Sequence, residues 1–178
     1  RNKMGLEFRD KNGELLFALG VAPLKNEIRT SVKGDALADD SKAASMSEPT
    51  WKSTTLDVSK TYTIRVKADF EAKTVSYQLA EKNGDVIMQE LNKPTEAVNL
   101  AKMLACSWWD SGEQYVDNFK LTSDTTSSGG TIQGEELQHY TNTLIDDNFD
   151  NGSSANFAFN KGAAFENGKL SVTKGMGN

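Results

Sequence analysis

The sequence predicts an all-β protein, an antiparallel β-sandwich of jelly-roll type, and three observations predict it. Apolar residues recur with a period of two along most of the chain, the pattern of strands that bury one face. Asn-Gly pairs at Asn12-Gly13 and Asn83-Gly84 fall between such runs, where a tight hairpin needs positive φ. Short runs and turn residues alternate roughly every 8–12 positions, the rhythm of a sandwich.

The elements follow in order. Met4, Leu6 and Phe8 alternate with Gly5, Glu7 and Arg9; after Asp10-Lys11-Asn12-Gly13, Leu15, Phe17 and Leu19 form the returning strand. Ile28, Thr30 and Val32 make a short third strand. Residues 34–50 are polar and rich in Ala, Ser and Asp, and read as a long loop of the kind often used for binding. Tyr62, Ile64, Val66 and Ala68, then Val75, Tyr77 and Leu79, predict a hairpin with one wet face around a turn at Phe70-Glu71-Ala72. Asn83-Gly84 leads into Val86-Ile87-Met88. Residues 97–107 alternate at Val98, Leu100, Lys102 and Leu104, while their Ala and Met favour helix; strand neighbours make them a strand. Glu113 to Leu121 is a further strand, residues 122–135 have linker composition, and Leu144–Phe149, Phe157–Phe159 and Lys169–Thr173 are three more.

Composition narrows the function classes. The 178 residues carry a formal charge of −5 and are 37% hydrophobic, enough for a core. Acidity argues against nucleic-acid or anionic-membrane partners, and no apolar run reaches the length of a membrane span. The lone Cys106 excludes an internal disulfide and multi-Cys zinc; within Met103-Leu104-Ala105-Cys106 it reads as a small buried hydrophobe.

Three segments then carry a resemblance: the hairpin Tyr62-Thr63-Ile64-Arg65-Val66 with Val75-Ser76-Tyr77, the closing Tyr115-Val116-Asp117-Asn118-Phe119, and the opening Asp147-Asn148-Phe149-Asp150-Asn151-Gly152. Together they resemble the concanavalin-A-like and galactose-binding-like sandwiches used as carbohydrate-binding modules. Such modules are appended to secreted polysaccharide-degrading enzymes and bacterial surface proteins, so the resemblance implies a secreted or cell-surface location. In those families the opening strand lies beside the closing one, yet here the closing segment comes first. Residues 1–123 would then be the main sandwich and 124–140 a linker. Residues 141–178 would be opening strands of the same, permuted sandwich, or of a following repeat that completes a neighbour's fold by strand addition. Either way, Asp117-Asn118-Phe119 should lie beside Asp147-Asn148-Phe149.

The site residues follow from the same reading. Strand alternation puts Asp117 on the face of Tyr115, Phe119 and Leu121, and a carboxylate against a core needs a partner. Asp147, Asp150 and the carbonyls near Gly152 would supply the other oxygens of a structural Ca²⁺, which the resembled families often hold at this junction. The alternative is a bulge at Asp117-Asn118 that turns the carboxylate to solvent. For polysaccharide, Trp51, Trp108, Trp109 and Tyr115 are the stacking candidates, because a flat ring covers a pyranose face; the alternative for Trp51 is a core residue at a strand start. Asp110 and Glu113 would accept sugar hydroxyls, and Arg65 or Gln78 would donate. The expected activity is non-catalytic polysaccharide binding. The second reading is a structural or adhesin repeat that assembles with copies of itself. The third is a polysaccharide lyase or glycosidase, for which His139-Tyr140 is the sole base and acid pair; no strand carries carboxylates in the Glu-x-Asp-x-x-Glu spacing of a glucanase.

Overall fold

The computed structural model describes residues 3–22, 25–33, 51–108, 113–123, 142–157 and 163–172. Among them it holds thirteen strands: β1 (Lys3–Arg9), β2 (Leu15–Ala22), β3 (Glu27–Ser31), β4 (Lys52–Thr55), β5 (Tyr62–Asp69), β6 (Thr74–Glu81), β7 (Val86–Pro94), β8 (Lys102–Trp108), β9 (Gln114–Val116), β10 (Phe119–Ser123), β11 (Asn142–Asp147), β12 (Ala163–Glu166) and β13 (Lys169–Val172). The fold is all-β with antiparallel sheets, consistent with a β-sandwich. A five-stranded sheet runs β4-β3-β2-β1-β8; the others are β5-β6-β7, β12-β13-β9 and the pair β10-β11.

The β1–β2 hairpin shows how local sequence sets an element. Gly13 takes φ 91°, and the buried Asp10 carboxylate organises the turn. Its Oδ1 accepts the N–H groups of Asn12 (2.7 Å) and Glu14 (2.8 Å), and its Oδ2 that of Val98 (3.2 Å). The last bond ties the turn to the segment entering β8. A bulge between Phe8 and Arg9 in the β1–β2 register brings both Leu16 and Phe17 into core clusters.

Phe17, Leu19 and Ile28 of the five-stranded sheet pack against Tyr77 and Leu79 of β6, which is the face-to-face burial that alternation predicts. The second face of β6 is also closed: Ser76, Gln78 and Ala80 are buried. The expected wet face is therefore not found at Gln78. Gln78 is the cross-strand partner of Arg65 of β5, and its Nε2 donates to Gln89 Oε1 at 3.3 Å.

The later strands build a second core of Phe149, Leu170 and Val172, joined by Met103 and Ala105 of β8 and by Val116, Phe119, Phe157 and Phe165. Aromatic contacts link the two cores: Tyr77 to Phe17 (5.0 Å between centroids), Phe17 to Phe8 (6.2 Å), Phe8 to Phe119 (6.4 Å) and Phe119 to Phe157 (5.3 Å). The junction expected from the two Asp-Asn-Phe segments is present within the chain: β10 pairs with β11, Phe119 opposite Asp147 and Lys120 opposite Asp146.

Several boundaries differ from expectation. Thr122 and Ser123 belong to β10 and pair with Thr143 and Asn142, so the linker composition that begins at Thr122 overlaps a strand. Of the expected strand over 97–107, residues up to Ala101 are irregular and β8 starts at Lys102. Phe157 lies outside a strand, and residues 158–162 are outside the described residues, as are 34–50 and 124–141.

Candidate functional site

The sequence-predicted binding residues fall on three different sheets. Trp51 stands immediately before β4, half-buried, with its Nε1 buried and without a hydrogen-bond partner. Arg65 and Gln78 pair across β5 and β6. Glu113 and Tyr115 sit at and beside β9. Trp108 closes β8, its backbone opposite Lys3; its side chain, that of Cys106, and the whole of Trp109, Asp110, His139 and Tyr140 lie outside the described residues. The fold thus keeps Glu113 with Tyr115 and separates both from Trp51, Arg65 and Gln78.

Tyr115 is the centre of the arrangement that remains. It is 55% exposed. β9 pairs with β13, placing Tyr115 opposite Ser171, while Val116 and Leu170 form the adjacent pair and face the core. Period-two alternation then puts Tyr115, Ser171 and Lys169 on the face opposite Val116 and Leu170, where Tyr115 and Lys169 are exposed and Ser171 is buried. The Tyr115 hydroxyl donates to Glu113 Oε2, which fixes the ring. The Lys169 ammonium lies 5.9 Å from the ring centroid, within cation–π range. Glu166 is the cross-strand partner of Lys169 across the Asn167-Gly168 turn, whose two residues take φ 52° and 71°. Ser171 is buried and its Oγ has no hydrogen-bond partner, an unmet donor and acceptor directly across the ladder from the ring.

The hydrogen bond to Glu113 raises the Tyr115 pKa above the usual phenol value; burial and the charges of Glu113 and Glu166 push the same way. The phenol therefore stays protonated at neutral pH. Chemically the described group is an exposed flat ring oriented by Glu113, with the carboxylates of Glu113 and Glu166 and the ammonium of Lys169 beside it. That equipment suits stacking and hydroxyl recognition.

Lys169, Glu166 and Ser171 are missing from the sequence-derived set. The strand of Lys169 and Ser171 is among those expected from the sequence, whereas β12, which carries Glu166, is not, and the pairing of β13 with β9 joins residues far apart in sequence. Asn167-Gly168 between Phe165 and Leu170 is the local signal that marks the β12–β13 hairpin.

The calcium expectation meets a different geometry. Asn118 takes φ 53°, so alternation breaks there: Tyr115 faces out, Phe119 faces the core, and Asp117 is exposed. Asp117 does not share a face with Phe119. Asp147 Oδ1 accepts the Phe149 N–H at 3.0 Å, and its Oδ2 accepts the Ser154 hydroxyl. Asn148 Nδ2 donates to Asp150 Oδ2 at 2.7 Å, and the Gly152 N–H closes the turn on the Phe149 carbonyl at 3.1 Å. Gly168 packs so closely here that a Cβ would lie 2.8 Å from Asp150 Oδ1. Among the described residues no three of His, Cys, Asp and Glu gather as a metal group. Asp147, Asp150 and Gly152 thus belong to a hydrogen-bonded turn after β11, while Asp117 stands exposed between β9 and β10 with no hydrogen bond to that turn among the described residues, so the four do not converge as one oxygen set in this arrangement.

No protein-family model, no curated protein and no solved structure matches the chain. Among the described residues no helix is long and apolar enough to cross a membrane.

Proposed function

We propose that this chain is a non-catalytic carbohydrate-binding module of jelly-roll type, part of a secreted or surface protein, that holds polysaccharide by stacking on Tyr115. The observation that carries the reading is the exposed Tyr115 ring, oriented by Glu113 and bordered by Lys169 and Glu166. An exposed aromatic held in one orientation loses little entropy on binding, and its carboxylate neighbours accept sugar hydroxyls. Affinity electrophoresis through gels containing soluble polysaccharides tests it. Retardation of the native chain that disappears in Tyr115→Ala supports the reading; unretarded migration on every polysaccharide refutes it.

A second reading has its own observation. β11 and β13 pair with β10 and β9, and the same pairings made between copies would produce an assembling repeat. Light scattering across a concentration series distinguishes this, since a strand-exchanged assembly has a mass above that of one chain.

A further inference from the structure

The charges around Tyr115 bear on the class of polysaccharide the face would take, an inference that rests on the carbohydrate-binding reading above. Glu113 accepts the Tyr115 hydroxyl, so its carboxylate stands at the ring's polar end. Glu166 faces Lys169 across the β12–β13 ladder, and Lys169 in turn lies over the ring. Among the described residues the set holds two carboxylates against one ammonium, on a chain whose formal charge is −5. Ser171, the cross-strand partner of Tyr115, is buried and uncharged, and so adds no cation. A ligand carboxylate stacked on this ring would meet like charge near Glu113, and one ammonium already opposite Glu166 is poor compensation. Sugar hydroxyls meet no such penalty, because carboxylates are strong acceptors for them.

We propose that the Tyr115 face selects neutral polysaccharides and rejects polyuronates. Glu113 and Glu166 provide the rejection; Tyr115 provides the affinity. The discrimination comes from repulsion of the wrong ligand, so it weakens as salt screens the carboxylates, while neutral binding is insensitive to salt.

Native gels cast with a neutral glucan, xylan or mannan, and in parallel with alginate or polygalacturonate, test the proposal on the intact chain. The expected result is a Kd at least tenfold lower for one neutral polymer than for either polyuronate, with the ratio narrowing at 0.5 M salt, a concentration of roughly 4–5 Å Debye length. The double variant Glu113→Gln/Glu166→Gln keeps side-chain size and a hydroxyl acceptor, and a melting curve matching the parent's verifies its fold. It should bind polyuronate at least tenfold more tightly than the parent does. Parent binding to polyuronate that equals or exceeds neutral binding overturns the selectivity while leaving the carbohydrate reading intact. Failure to bind any polymer overturns both.

Discussion

At the scale of single residues, Tyr115 and Tyr77 show how surroundings divide one side chain between two roles. Tyr115 is 55% exposed and belongs to no core cluster among the described residues, so Tyr115→Ala should leave the melting temperature within about 2 °C of the parent. It should raise the polysaccharide Kd by about tenfold or more, as expected for a lost stacking contact; calorimetric titration and a melt on the same sample check both. Tyr77 is fully buried, its hydroxyl 2.6 Å from Thr30 Oγ1 and 3.4 Å from Glu90 Oε2. Burial, aided by the Glu90 charge, pushes its pKa from 10.0 up to about 12. The unfolded chain therefore ionises this tyrosine before the folded one does. Its contribution to stability is complete below pH 10 and is lost as pH rises toward 12. Urea titrations of Tyr77→Phe between those values should show a shallower alkaline decline than the parent, together with a loss of about 1 kcal/mol at neutral pH from the missing hydrogen bonds.

At the scale of elements, the turns decide where side chains go. Asn118 holds φ 53° between β9 and β10, and this one left-handed residue sends Tyr115 outward and Phe119 inward. Asparagine tolerates that region better than other side-bearing residues. Asn118→Ala should cost about 1 kcal/mol, whereas Asn118→Gly should be near neutral; equal losses in denaturant melts would contradict the assigned cause. Alternation and Asn-Gly pairs made the hairpins β1–β2, β5–β6 and β6–β7 legible in the sequence because their partners are adjacent in the chain. The outward turn at Asp117 was legible as an alternative to core burial. The choice between them depends on a backbone dihedral that side-chain periodicity does not report.

At the scale of the whole molecule, the second core depends on strands from both sides of residues 124–141. Phe149 is buried against Phe157 (5.6 Å) and Phe165 (5.5 Å), and Phe149→Ala should cost about 3–5 kcal/mol. If the aromatic contacts join the two cores into one cooperative unit, the whole chain melts earlier in a single transition; two separated transitions in calorimetry would show independent halves. The opposite edge of the sandwich is closed by Glu90, which Lys52 (3.0 Å) and Lys93 (3.1 Å) bridge. Burial acts to raise its pKa, but the two lysines prevail and hold it below the usual glutamate value. That stability is present above the unfolded pKa and lost as pH falls through the lower folded one, so Glu90→Gln should flatten the acid limb of the stability curve. Melting should be the same with and without a calcium chelator, because hydrogen bonds already occupy the carboxylate oxygens of Asp147.

The all-β class and the strands with a neighbouring partner are readable from local pattern in the sequence by itself, while the pairing of the two Asp-Asn-Phe segments is expected from the resemblance, and its closure within one chain comes from the fold. Period two and Asn-Gly turns are local properties, and a one-residue slip would expose an entire buried face. Which aromatic stands beside which charge was set by long-range strand pairing. It placed Trp51 and Tyr115 on different sheets, buried Gln78, and brought Lys169, Glu166 and Ser171 to Tyr115 through the β9–β13 ladder. Those neighbours are set by pairing between distant segments, where loop closure and core packing choose the register and no local pattern records the outcome.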